Sequence, residues 1–244
     1  MNLPIFLRFL LPLILSVSML AFFGCVEDPD IPVSGKFIDS RDKHEYTWVI
    51  IGSQTWMAEN LAYLPGVSPP HIGADSLPFF YVFRFEGSSV AAAKSWDFYA
   101  PYGVFYNWPA AMNGAPGQDS LQTQVQGICP DGWHLPSDEE WGLLVNYLGG
   151  EFSAGKKMKS AKGWNTFDKT SGNGDNSSGF NAIAAGGRQN AGVFHNLGFN
   201  AAYWSSTNCD KSSAYYRILW YYHPGVNRYF SNMGYGFSVR CVRN

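Results

Sequence analysis

The chain has 244 residues, of which 46% are hydrophobic, enough for a real core and too many for wholesale disorder. Only 15% are charged, and with 26 glycines and 14 prolines this points to short elements joined by long loops, excluding a coiled coil or helical bundle. The net charge is −2 with no basic block, so a nucleic-acid partner has no electrostatic footprint.

Residues 1–24 read as an export signal. Arg8 is followed by an apolar run from Phe9 to Phe23, interrupted only by Pro12, Ser16 and Ser18. Such a run is shorter than the roughly 20 residues that span a hydrocarbon core. It ends at Gly24-Cys25, which resembles the lipobox of bacterial lipoproteins, although Phe22 and Phe23 depart from that pattern. The resemblance implies acylation of Cys25 and anchoring in the outer membrane; the alternative is plain secretion with Cys25 buried or oxidised. Residues 25–34 are acidic and proline-rich and read as an extended tether. Acidic residues directly after the cysteine resemble a surface-export signal of Bacteroidetes-type lipoproteins. Residues 35–244 are expected to form one domain.

The domain opens with two β-rich runs, Tyr46 to Ile51 and Gln54 to Ala58, joined by Gly52-Ser53 as a type II′ hairpin. Proline punctuation marks Leu61 to Ala100 as loop. A strand then runs into a short helix near Pro109. The clearest helix starts at Ser137, which forms a capping box with Glu140, while Asp138 and Glu139 complement the helix dipole. Trp141, Leu144, Val145 and Leu148 form one buried stripe, and Gly149-Gly150 stops the helix. A second helix is expected over Ser153 to Ala161 with its lysines exposed. A polar loop, 172–179, precedes four strand candidates: Phe180 to Ala185, Ala202 to Ser206, Tyr215 to Tyr221 and Gly236 to Val242. Helices early and strands late imply an α+β domain.

Besides Cys25 there are three cysteines, and an exported setting favours oxidation. A Cys129–Cys241 bridge would tie the late strand to the base of the capped helix, with Cys241 on the apolar face beside Phe237 and Val239. Cys209 would remain unpaired, an incidental loop thiol beside Asp210.

Three segments taken together carry a resemblance: Trp48 to Leu61 (WVIIGSQTWMAENL), Gly127 to Trp141 (GICPDGWHLPSDEEW) and Gly234 to Arg243 (GYGFSVRCVR). They are similar to the Fibrobacter succinogenes major paralogous domain, a family of exported, often lipid-anchored bacterial proteins without a settled activity. The second and third also resemble segments of the formylglycine-generating and C-type-lectin-like fold. That implies a small, twisted, mostly antiparallel sheet, a few short helices, long irregular loops, and close first and last strands.

Catalysis has little support. A bridged Cys129 and Cys241 leave no thiol pair for oxidase chemistry, no G-x-S-x-G elbow is present, and Glu139 and Glu140 are explained by helix capping. The five histidines (His44, His71, His134, His195, His223) lack metal-ligand spacing, and Asn173, Asp175 and Asn176 lack the order of a calcium loop. No metal, cofactor or catalytic residue is expected. Binding remains. Tyr215, Tyr216, Trp220, Tyr221, Tyr222, Tyr229 and Phe230 are interleaved with Arg217, His223, Asn227 and Arg228. Flat rings beside amide and guanidinium donors suit sugars or a protein partner, although strand alternation should bury about half of them. Trp220, Tyr222, Asn227 and Arg228 are the candidate contacts, with a glycan as favoured ligand. The alternative is a structural surface or assembly protein that binds another protein, and an unrecognised enzyme ranks third.

Overall fold

The computed structural model describes residues 33–117 and 124–244. The leader, the tether up to residue 32 and Cys25 lie outside the described residues. No helix among the described residues is long and apolar enough to cross a membrane.

The first half of the chain contributes β1 (Ser34–Ile38), β2 (Glu45–Ile51), β3 (Gln54–Met57), β4 (Phe80–Tyr81), α1 (Val90–Lys94), α2 (Tyr99–Tyr102), β5 (Phe105–Tyr106) and α3 (Trp108–Met112). Then come β6 (Trp133–His134), α4 (Asp138–Tyr147), α5 (Ala154–Met158) and the small hairpin of β7 (Thr166–Phe167) and β8 (Thr170–Ser171). The remainder supplies β9 (Gly187–Arg188), β10 (Phe194–His195), β11 (Asn200–Asn208), β12 (Ser213–Trp220), β13 (Asn227–Asn232) and β14 (Val242–Arg243). Mostly antiparallel sheets with a few short helices make this a mixed α+β domain.

One sheet has the order β1-β2-β3-β14-β6 and another the order β11-β12-β13. The β2–β3 hairpin forms as its sequence predicts: Gly52 takes φ +61°, while Ser53 keeps an ordinary φ, the pattern of a type II′ turn. The first hairpin and the last strand are neighbours, since Val242 pairs with Trp56 on one side and His134 on the other.

Two large hydrophobic layers share these strands. Residues 202, 204, 214 and 218 enter the first layer, with Trp108, Trp133 and Phe237; residues 201, 203 and 219 enter the second, with Trp56, Trp141 and Phe180. Strands covered on both faces lose the apolar-polar alternation of a half-exposed sheet, so β11 is buried from Asn200 to Thr207. Segment 236–242 runs between the layers. Phe237, Val239 and Cys241 point into the first, whereas Val242 joins the second and Arg240 lies over the second layer's Phe180 and Tyr203 rings. The expected alternation of side chains is there, but a regular strand is not. Only Val242–Arg243 is laddered, and Gly236, Phe237 and Ser238 make single bridges to Arg188, Tyr106 and Tyr203, because three different elements flank the segment.

Three other expectations are corrected. Phe180 to Ala185 is not a strand: Asn181 adopts φ +55°, and a lone bridge from Ala182 to Lys159 is its only pairing before Gly186. The second helix stops at Met158, where Lys159 turns extended. Residues 61–100 are largely loop, yet they carry β4, α1 and part of the core, including Leu61, Tyr81, Val82 and Phe83.

α4 matches its local signals. The Ser137 hydroxyl accepts from the Glu140 amide, and the Glu140 carboxylate accepts from the Ser137 amide. The same carboxylate lies 2.7 Å from buried His134 Nε2, whose Nδ1 lies 2.7 Å from Asn244 Oδ1. Burial alone would raise the Glu140 pKa, but His134 and the Ser137 hydrogen bonds outweigh it and hold the carboxyl below its ordinary range. A depressed carboxyl pKa contributes stability that is complete above the ordinary value of 4.5 and is lost as pH falls through the lower folded value. Glu140→Gln should therefore cost about 1–2 kcal/mol at neutral pH. The gap to wild type should close in acid, measured by urea unfolding at both pH values; a gap independent of pH would refute this role.

The disulfide links Cys129 and Cys241 with a Cα–Cα distance of 6.0 Å, both residues fully buried in the first layer. Cys209 is exposed and forms no disulfide.

Candidate functional site

The early end of α5 creates the most distinctive cleft. Once the backbone leaves the helix at Lys159, the side chain turns inward and is only 3% exposed. Its ammonium donates to the carbonyls of Trp220 (3.1 Å) and His223 (3.0 Å) and lies 5.1 Å from the centre of the Trp164 ring. The lysines of this segment were expected in solvent; Lys156 and Lys157 are exposed, but Lys159 is not. Burial with no carboxylate partner among the described residues pulls its pKa down to about 8.

Over this floor opens a cleft of about 400 Å³, within the range of small-ligand sites. One wall is the turn Tyr221-Tyr222-His223-Pro224 that follows β12. The other is the β7–β8 hairpin, whose tip residues Asp168 and Lys169 both take positive φ (+45° and +63°). That is the type I′ turn pattern, usually reserved for Asn-Gly or Asp-Gly, and here it is held without glycine. The hairpin sets Phe167 against the opposite wall, 5.7 Å from Tyr221 and 5.6 Å from Tyr222, while the two tyrosine rings are 5.4 Å apart. Phe167 and Tyr222 remain about half exposed, at 51% and 50%. Asn173, Thr170 and Ser171 add amide and hydroxyl groups to the lining.

A wider groove of about 740 Å³ lies elsewhere, between α4 and the β12–β13 pair. Three of its charges, Asp138, Arg217 and Arg228, are already engaged with one another, while Glu139 on the same lining forms no ion pair among the described residues. Asp138 pairs with Arg217 through one oxygen and with Arg228 Nε, at 2.7 Å, through the other, and the Arg228 guanidinium covers the Tyr215 ring at 3.7 Å. Thr207 Oγ1 accepts from the Asp138 amide. This network fastens the start of α4 to the second sheet and uses three of the groove's four charged side chains.

Residues 49–243 match the family profile described as the Fibrobacter succinogenes major domain. The chain belongs to that family. No curated protein and no solved structure matches it.

In this Fibrobacter succinogenes major domain, the three segments that carried the resemblance converge on the scaffold. They supply β2, β3, β6, β14, the capped start of α4 and both disulfide cysteines. The cleft is built elsewhere, from residues 156–173 and 221–224.

The four residues singled out from the sequence do not form one group. Trp220 and Tyr222 come together, stacked at 5.8 Å with planes 27° apart, beside the cleft. Trp220 itself packs partly against the first hydrophobic layer. Asn227 opposes Ile218 across the β12–β13 ladder, so it shares the Trp220 face of that sheet. Arg228 opposes Arg217 and points to the other face, into the groove with Asp138. Strand alternation separates two neighbours that composition had grouped. The sequence reading also overlooked Phe167 and Lys159. Asp168-Lys169 gives no turn signal, and Lys159 sits in a basic stretch that looks solvated.

Proposed function

We propose that this chain is an exported, lipid-anchored, non-catalytic binding module that holds a glycan in the cleft lined by Phe167, Tyr221 and Tyr222. The observation that carries this reading is the set of three mutually angled rings, Phe167, Tyr221 and Tyr222, standing over polar groups in a cleft of sugar-binding size. Sugar rings present C–H faces that pack on aromatic rings and hydroxyls that seek donors and acceptors beside them. A C-type-lectin-like arrangement is part of the same reading, supported by the pairing of the first hairpin with the last strand.

The full chain in detergent should bind a subset of a glycan array, tested with and without calcium. Tyr222→Ala should weaken that binding at least tenfold, about 1.4 kcal/mol, without altering the unfolding curve. Absence of glycan binding, or unchanged affinity in the variant, would sink the proposal.

Anchoring rests on Gly24-Cys25. Cys25→Ala should move the protein from the membrane fraction to the soluble fraction and abolish incorporation of a labelled fatty acid. A chain that stays membrane-bound and labelled would overturn the assignment.

A second reading, attachment to a protein partner, draws on β13, which lies at the border of its sheet with Tyr229 and Phe230 half or more exposed. Co-purification of a stoichiometric surface protein, lost in Phe230→Ser, would favour it.

A further inference from the structure

The floor of the cleft carries an unbalanced charge. Lys159 is buried, its two hydrogen bonds go to neutral carbonyls, and no carboxylate among the described residues pairs with it. Burying an ammonium without a countercharge is costly, and apolar residues of similar volume generally serve stability better. An ammonium has three donors. Two are occupied, which leaves one donor, and the residue is part of the cleft lining. The carbonyls that hold it belong to Trp220 and His223, which flank Tyr221 and Tyr222, so one short turn fixes the cation and the aromatic wall together. Lys156 lies on the same lining, against a single acid, Asp168.

We infer that the ligand of this cleft is an acidic saccharide, with an anionic oxygen substituent on Lys159 and a sugar ring against Tyr222. This inference rests on the glycan reading above and narrows it to a charge class. The acid supplies the missing countercharge, and the stacking ring places that charge at the cleft floor. Carboxylate and sulfate share the required chemistry, and carboxylate is the form tested first.

The test is an array in which each uronate-containing oligosaccharide is printed beside its methyl ester and beside a sulfated counterpart, probed with the full chain in detergent. The acid form should bind at least tenfold more tightly than its ester, and the preference should shrink as salt is raised. Lys159→Met should remove most of the acid form's advantage over its ester, with Lys156 on the same lining accounting for the remainder. Should that variant fail to fold, the exposed Lys156→Gln variant, expected to lose part of the preference, and the wild-type salt dependence decide. Selective binding of only the sulfated arm would keep the charge class and reassign the substituent. Equal binding of acid and ester would overturn the inference and leave the glycan reading standing. Binding to no glycan would overturn both.

Discussion

Removing the Cys129–Cys241 bridge is expected to lower the stability of the domain by about 4–5 kcal/mol, the largest single effect we anticipate. The two residues are 112 positions apart, and in the chain-entropy view a link closing so long a loop strongly restricts the unfolded ensemble. The fold adds a second reason. Cys241 lies one residue before Val242, which is hydrogen-bonded to β3 and β6 at once, so the bridge also pins the strand that completes the five-stranded sheet. Urea unfolding of the Cys129→Ala/Cys241→Ala chain against wild type measures the loss. A difference under about 1 kcal/mol would show that the bridge adds little to a framework already closed by packing. In a chain with Cys25→Ala, the oxidised, denatured protein should present one thiol and the reduced protein three, because Cys209 forms no disulfide.

Arg240→Met is expected to cost on the order of 4 kcal/mol, from polar groups left without partners rather than from lost charge. The guanidinium is fully buried. Its Nε donates to Asn60 Oδ1, Nη1 to the carbonyls of Met57 and Phe180, and Nη2 to the carbonyl of Asn181. It also covers the Phe180 ring at 4.6 Å and the Tyr203 ring at 5.5 Å. Methionine fills much of the volume but satisfies none of the four acceptors, and each orphaned acceptor costs roughly 1–3 kcal/mol before water or rearrangement relieves it. Arg240→Lys should recover only part of the loss, because a compact ammonium has three donors and cannot reproduce the planar fork. Equal stability of the Met variant and wild type would mean that water replaces the guanidinium at no cost.

What could be read from the chain follows the range of the forces involved. α4 was legible from Ser137 to Gly150 because its cap, its stripe and its stop are all local. The β2–β3 hairpin was legible for the same reason, since Gly52 alone selects the turn. Segment 180–185 has a strand's composition, but Asn181 at φ +55° breaks the run; asparagine tolerates that conformation better than most residues, yet a lone asparagine does not by itself select it. Lys159 was misplaced because its burial depends on carbonyls some 60 residues away, at Trp220 and His223. Asp138 was read as a dipole charge, and its ties to Arg217 and Arg228 across the second sheet carry no sequence mark. The candidate cleft is non-local in the same way, joining a hairpin tip to the turn after β12.

Segment 236–242, with one set of side chains in each hydrophobic layer, also governs how the molecule is assembled. Trp56 and Trp141 on one side, and Trp133 and Trp204 on the other, all await residues that follow them by dozens of positions. Contacts so distant along the chain make folding slow. A polypeptide emerging amino end first therefore remains open, with its tryptophans uncovered, until that stretch arrives and seals both halves together. Such a delay leaves the uncovered rings open to aggregation, and the chain open to proteolysis, until the segment is in place.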